Sequence, residues 1–154
     1  SGPDVFAGYW QEPELSAQAL RDGWLHTGDL ARTDDEGFMY IVDRKKDMII
    51  SGGFNIYPTE VEQALYQHPA VYEACVFGVP DKLWGESVKA MIVLKPGEAA
   101  TPADLIEHCR KQLADFKKPR SVELLTELPK NANGKVARKQ MRDAFWADEE
   151  RKVG

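Results

Sequence analysis

Lys117, Lys118, Arg120, Lys130, Lys135, Arg138, Lys139 and Arg142 fall in one stretch whose acids are Glu123 and Glu127, a local charge of +6 in a 154-residue chain of net charge −5. The remainder sums to −11. An acidic protein does not suit general nucleic-acid binding, and a confined basic region suits a local polyanionic ligand. A solvated helix and loop would have the same composition. Two further stretches mix charge with glycine. Asp29 follows Thr27-Gly28, and Asp43-Arg44-Lys45-Lys46-Asp47 leads into Ser51-Gly52-Gly53. Taken bare, Asp29 is a turn residue, Arg44 an ion-pair partner of Asp43, and Asn133-Gly134-Lys135 a turn with a solvated lysine.

The elements around these residues can be read from periodicity and punctuation. Residues 1–21 are polar and mixed, with Leu15, Ala19 and Leu20 hinting at a short helix before a turn at Asp22-Gly23. Leu30–Thr33 and Phe38–Val42 flank Asp34-Asp35-Glu36-Gly37 as a hairpin, and Met48–Ile50 with Phe54–Tyr57 form a second around Ser51-Gly52-Gly53. Thr59 and Glu62 have capping-box spacing ahead of a helix that His68-Pro69 ends. Val71–Val79 and Val88–Leu94 read as strands. Thr101-Pro102 starts a helix with Leu105, Ile106, Cys109 and Leu113 on one face. Ser121–Thr126 is a short strand, Asn131–Gly134 a turn, and Ala137, Met141 and Phe145 mark a last helix before a charged tail expected to fray.

Helices and strands mixed without strict βαβ alternation predict an α+β domain over 46–154, with a β-hairpin and a mixed sheet packed by about three helices. Residues 1–45 read as a separate β-rich piece. Cys75 and Cys109 sit in apolar segments as buried small hydrophobes, so neither a disulfide nor a metal site is predicted, and the setting is a reducing one. No apolar run reaches the roughly 20 residues that span a bilayer, and no signal peptide is expected.

Three motifs in order carry a resemblance. They are Gly23-Trp24-Leu25-His26-Thr27-Gly28-Asp29-Leu30; Asp43 through Gly53 continuing into Asn55-Ile56-Tyr57-Pro58-Thr59-Glu60-Val61-Glu62; and Leu128-Pro129-Lys130-Asn131-Ala132-Asn133-Gly134-Lys135-Val136-Ala137-Arg138. Together they resemble the C-terminal part of adenylate-forming (AMP-binding) acyl-CoA synthetases, over nearly the whole chain. The resemblance implies that 1–45 end a large nucleotide- and acid-binding domain and that 46–154 form the mobile catalytic domain. The phosphate loop and acid pocket of such enzymes are not in this sequence, so the chain is expected to be inactive alone and to work with a missing N-terminal domain.

The implied reaction joins a carboxylic acid to ATP, giving acyl-AMP and pyrophosphate, and then to CoA, giving acyl-CoA and AMP. Within it Asp29 matches the aspartate that binds the ribose diol, where one carboxylate accepts two O–H donors. Arg44 also contacts the ribose, and Lys135 bridges the carboxylate and the α-phosphate as the catalytic residue. Lys46 matches the hinge about which the small domain turns. Gly52 and Gly53 line a pantetheine passage; Trp84 and Phe116 match aromatics on the CoA adenine, and Lys118 and Arg120 match cations near its phosphates. Ile50 stands where light-emitting relatives carry a lysine, which favours thioester formation. Mg2+ is expected to arrive with ATP, its ligands mostly in the missing domain. The acid is expected to be a long- or medium-chain fatty acid, with an aryl-CoA ligase or a carrier-protein-loading adenylation domain as alternatives. A non-catalytic interaction module is the reading from another class. The setting is expected to be cytoplasmic, with peripheral membrane contact through the missing domain.

Overall fold

A computed structural model describes residues 2–147; the charged tail expected to fray lies beyond Ala147, outside the described residues. The chain divides into two compact units between Lys45 and Lys46.

The first unit opens with helix α1 (Pro13–Ala19), followed by a two-residue ribbon of β1 (Leu20–Arg21) and β2 (Trp24–Leu25). Its turn is Asp22-Gly23, both with positive φ (50° and 77°), the torsions that a two-residue hairpin of right-handed twist requires. A second antiparallel pair joins β3 (Asp29–Thr33) to β4 (Met39–Arg44), with a bulge between Leu30 and Ala31. The Asp34 carboxylate closes that hairpin by accepting the N–H groups of Glu36 and Phe38 at 3.1 and 2.9 Å. A 3₁₀ turn, Lys45–Asp47, follows β4 along the chain.

The second unit is a mixed sheet with three α-helices. A hairpin of β5 (Ile49–Ser51) and β6 (Phe54–Ile56) precedes helix α2 (Pro58–Tyr66). The long antiparallel strands β7 (Val71–Asp81) and β8 (Gly85–Leu94) come next, then α3 (Pro102–Gln112), β9 (Ser121–Leu125) and α4 (Arg138–Trp146). The sheet order is β6-β5-β8-β7, and β9 lies parallel to β8 from Lys89↔Ser121 to Val93↔Leu125.

Both faces of β7 and β8 are covered, which is why their sequences run apolar almost without interruption. Ala74, Val76, Val88, Ala90 and Ile92 pack with Val61, Leu65, Leu105 and Cys109 of α2 and α3. The alternate residues Cys75, Phe77, Met91 and Val93 pack with Met141 of α4 and with Leu128, which precedes that helix. The free edge of β7 is covered by side chains. Tyr66 Oη and Glu62 Oε1 accept the N–H groups of Ala74 and Val76 at 3.1 and 2.8 Å, and Trp146 Nε1 donates to the Gly78 carbonyl at 2.9 Å. An edge so satisfied offers no template for another strand.

Helix α3 starts as its sequence predicts. Thr101 accepts the Asp104 N–H, and the Asp104 carboxylate accepts the Thr101 N–H in return. The Thr59–Glu62 capping box does not form. Pro58 supplies the first helical φ, so Tyr57 is the N-cap and Thr59 already lies inside the helix, while Glu62 is drawn to Val76 and Arg138. The β7–β8 hairpin also extends past the predicted limits, to Asp81↔Gly85. The Asp81 carboxylate accepts the N–H groups of Leu83 and Trp84 at 2.9 and 3.0 Å, and these bonds, Trp84 first, hold it below the usual carboxylate range.

Candidate functional site

In the first unit, Asp29 and Arg44 are paired residues of β3 and β4. Arg44 Nε lies 3.3 Å from Asp29 Oδ1, so the guanidinium pairs with Asp29. Asp43, the bare expectation for its partner, is buried and instead accepts the Arg44 backbone N–H at 2.7 Å. Asp29 borders an open groove of about 630 Å3 that also touches Tyr9, His26, Thr27 and Lys45. Asp29 at the edge of the groove, with the Arg44 guanidinium paired to it, can take both hydroxyls of a sugar and a neighbouring anion.

In the second unit, three turns meet at one end of the sheet. Gly52 and Gly53 form the two-residue turn of β5–β6, with φ of 57° and 83°. The Gly52 N–H donates to the Trp84 carbonyl at 2.9 Å, and the Trp84 ring lies directly against the Gly52 Cα. The Arg120 guanidinium covers that ring at 5.0 Å from its centroid. On the other side of the turn, Phe54 stacks on Phe116 with centroids 4.5 Å apart and planes 25° from parallel. Lys117 sits 5.9 Å from the Phe116 ring and is held by Glu60 at 2.7 Å. Gly52, Gly53, Trp84, Phe116 and Arg120 are thus brought together by the fold. Lys118 is turned to its local partner, Asp115. Phe54 is the site residue that sequence reading missed; its place beside the glycine turn was the available signal. The half-exposed rings and a cation form a surface on which a purine could stack.

Lys135 stands elsewhere in the same unit, at the end of an exposed loop. Asn131 Oδ1 accepts the N–H groups of Asn133 and Lys135 at 2.9 and 3.0 Å. The Asn131 N–H donates to the Lys135 carbonyl at 2.8 Å, and Lys130 and Val136 make a single bridge below. No ion pair engages the Lys135 ammonium among the described residues. Lys130 pairs with Glu73 at 2.8 Å, near the start of β7, whereas the glycine turn and Trp84 adjoin the end of β7 and start of β8. The eight steps from Glu73 to Asp81 span roughly 26 Å at about 3.3 Å each. The aromatic surface and the lysine loop therefore lie toward opposite ends of the β7–β8 hairpin.

A partly buried ionic network joins α4 to the start of this unit. Arg138 Nη2 donates to both Glu62 oxygens at 2.7 and 2.9 Å, and its Nη1 lies 3.6 Å from Asp47. Arg142 lies 3.6 Å from the other Asp47 oxygen and donates to the Lys46 carbonyl at 3.4 Å. Burial opposes the Arg138 charge, but Glu62 and then Cys75 and Asp47 outweigh it and raise its pKa. Burial also pushes the Cys75 thiol up to about 11, against the pull of Arg138, and the Cys109 thiol to about 11. Among the described residues no group of three or more His, Cys, Asp or Glu side chains could hold a metal ion, and no helix is long and apolar enough to cross a membrane.

A family model described as the AMP-binding enzyme C-terminal domain matches residues 60–135. The long-chain-fatty-acid–CoA ligase of Bacillus subtilis (strain 168) is 54% identical over 140 residues, 91% of this chain and 25% of the relative. A feruloyl-CoA synthase from Amycolatopsis sp is 48% identical over 145 residues, 94% of this chain and 30% of the relative. The crystal structure of ATP-bound MatB from Rhodopseudomonas palustris matches with a TM-score of 0.88 at 40% identity, covering 96% of this chain and 29% of that one. The chain thus spans about a quarter to a third of the length of these relatives.

Proposed function

From the match of the AMP-binding enzyme C-terminal domain model to residues 60–135, we propose that this chain belongs to that family and is the C-terminal part of an AMP-forming acyl-CoA ligase. Its residues would serve two half-reactions. In the first, a carboxylate oxygen attacks the α-phosphorus of ATP, forming the acyl phosphate bond and releasing pyrophosphate. In the second, the CoA sulfur attacks the acyl carbon, forming the thioester and releasing AMP. The observation that carries the reading is the 54% identity, across 91% of the chain, to a long-chain-fatty-acid–CoA ligase.

Asp29 and Arg44 would hold the ribose, the guanidinium giving up part of its pairing as the diol arrives. Lys135 would place a compact positive charge between the carboxylate and the α-phosphate, where two anions must meet. Trp84, Phe116, Lys118 and Arg120 would receive the nucleotide end of CoA, and Gly52 and Gly53 would leave room for its pantetheine arm. With the lysine loop and the aromatic surface toward opposite ends of one hairpin, a single pocket could use both only in turn. That separation supports a rotation about Lys46 between the halves. Mg2+ would enter with ATP.

The proposed acid is a long- or medium-chain fatty acid. The feruloyl-CoA synthase, at 48% identity, supports an aryl acid as the second reading. The full-length protein should release pyrophosphate from ATP in the presence of the correct acid, and thioester should then appear with added CoA. A panel of fatty and aryl acids decides between the two readings. Absence of pyrophosphate release across the panel, from a folded full-length protein that binds ATP, would overturn the assignment. This chain by itself is expected to form no acyl-AMP.

A further inference from the structure

We propose that Asn131 is a positioning residue for Lys135, and that its side-chain amide oxygen sets the loop geometry on which the first half-reaction depends. The proposal rests on the reading of Lys135 as the adenylating lysine. Four observations lead to it. Asn131 Oδ1 accepts two backbone N–H groups, those of Asn133 and Lys135 itself, at 2.9 and 3.0 Å. The Asn131 carbonyl accepts the Gly134 N–H at 2.9 Å, and the Asn131 N–H donates to the Lys135 carbonyl at 2.8 Å. Gly134, immediately before Lys135, has a φ of 73°, so the loop depends on a left-handed residue. The side chains at 131, 133 and 135 are all exposed, so among the described residues burial does not fix the loop tip in place of these bonds.

The consequence is specific. An ammonium on a four-carbon stem has many rotamers, and it can bridge two reacting anions only if its Cα starts in the right place. Without Oδ1, the N–H groups of Asn133 and Lys135 turn to water. The lower part of the hairpin stays closed through the Lys130–Val136 bridge and the Lys130–Glu73 pair. Removal of the amide should therefore loosen Lys135 without unfolding its surroundings. A displacement of about 1 Å at a reacting group can cost roughly 100-fold in rate.

The test compares Asn131→Ala, Asn131→Ser and Lys135→Ala in the full-length protein. Single-turnover acyl-AMP formation and thioester formation from supplied acyl-AMP are measured separately, with melting temperature as the folding control. Asn131→Ala should lose more than about tenfold in acyl-AMP formation, keep its melting temperature, and transfer supplied acyl-AMP to CoA at close to the parent rate. Asn131→Ser, whose hydroxyl oxygen accepts the same N–H groups more weakly, should recover part of the loss. Adenylation by Asn131→Ala at the parent rate while Lys135→Ala is crippled would overturn the proposal and leave the role of Lys135 intact. Equal damage to both half-reactions, or a serine variant as slow as the alanine one, would also overturn it. Normal adenylation by Lys135→Ala would remove the reading on which the proposal rests, and the proposal with it.

Discussion

A Cβ built on Gly52 would lie 2.6 Å from Cε3 of Trp84, closer than carbon atoms can pack, whereas one on Gly53 would meet nothing within 4 Å. The two glycines of one turn are therefore under different demands. Both need positive φ, but Gly52 alone must also carry no side chain beneath an indole ring.

Gly53→Ala should cost about 1–2 kcal/mol, the penalty of a left-handed alanine. Gly52→Ala adds displacement of Trp84, and should cost about 1–3 kcal/mol more as overpacking does. Chemical denaturation of the two variants measures the difference. Gly52→Ala should also raise the apparent KM for CoA, since the shifted indole is the proposed adenine platform. Equal destabilisation of the two variants would show that Trp84 moves aside freely.

The glycine turn was legible because two positive-φ residues between apolar strands have few other uses. The α+β class and the positions of α3, β7 and β8 were legible for a similar reason, since period and turn residues agree there. The Arg138–Glu62 contact was not, because its partners are 76 residues apart and charge on a helix is ordinarily solvated. The Thr59–Glu62 spacing actively misled. A capping pattern is only four residues long, and Pro58 outweighed it by setting the helix start itself.

Replacing Glu62 by alanine leaves Arg138 partly buried without the carboxylate that accepts from its Nη2, and also frees the Val76 N–H. A loss of about 3 kcal/mol is expected, as for other broken buried pairs. Asp143→Ala, which removes the partner of exposed Lys139 and of Arg142, should cost no more than about 1 kcal/mol. Urea midpoints of the two variants, compared at equal slope, check this. Comparable losses would mean that the Glu62 pair behaves as a surface contact.

Charge reversal at the two cations assigned to CoA, Lys118 and Arg120, should have effects of different size. Arg120 covers the Trp84 ring, whereas Lys118 is already engaged by Asp115. Arg120→Glu should raise the KM for CoA about tenfold or more, and Lys118→Glu by less, with the KM for ATP nearly unchanged in both. The effects should shrink as salt is added, because exposed phosphate contacts are screened. A CoA dependence unmoved by either change would return both residues to an ordinary solvated surface.

Cys75 and Cys109 should resist alkylation in the folded protein at pH 8. Both are buried, and burial raises each thiol from 9.0 to about 11, so almost no thiolate is present to react. Between pH 9 and 11 the folded thiols keep protons that unfolded ones lose, so their contribution is full below about pH 9 and falls as pH rises through 11. The slope is about 1.4 kcal/mol per pH unit for each thiol. Rapid iodoacetamide labelling of either cysteine at pH 8 without denaturant would contradict the burial.

Lys46→Pro separates a hinge from an ordinary loop. Lys46 lies in the 3₁₀ turn Lys45–Asp47, and its carbonyl accepts from Arg142 at 3.4 Å. Asp47, the next residue, is held by Arg138 and Arg142, so the chain beyond Lys46 is fastened to α4. A torsional change that turns the second unit as one body would then fall on Lys45 and Lys46 and not farther along. Proline at 46 fixes φ near −65° and disfavours helical torsions at Lys45, so it restricts both residues at once. The expected result in the full-length protein is retained acyl-AMP formation and a loss of roughly 100-fold in transfer to CoA, as when a group is held out of place. Selective loss of the other half would equally show that the two steps need different torsions here. Single-turnover assays of each half-reaction, with circular dichroism to confirm folding, distinguish these outcomes. Small, parallel losses in both would mean that Lys46 is an ordinary loop residue and not the proposed hinge.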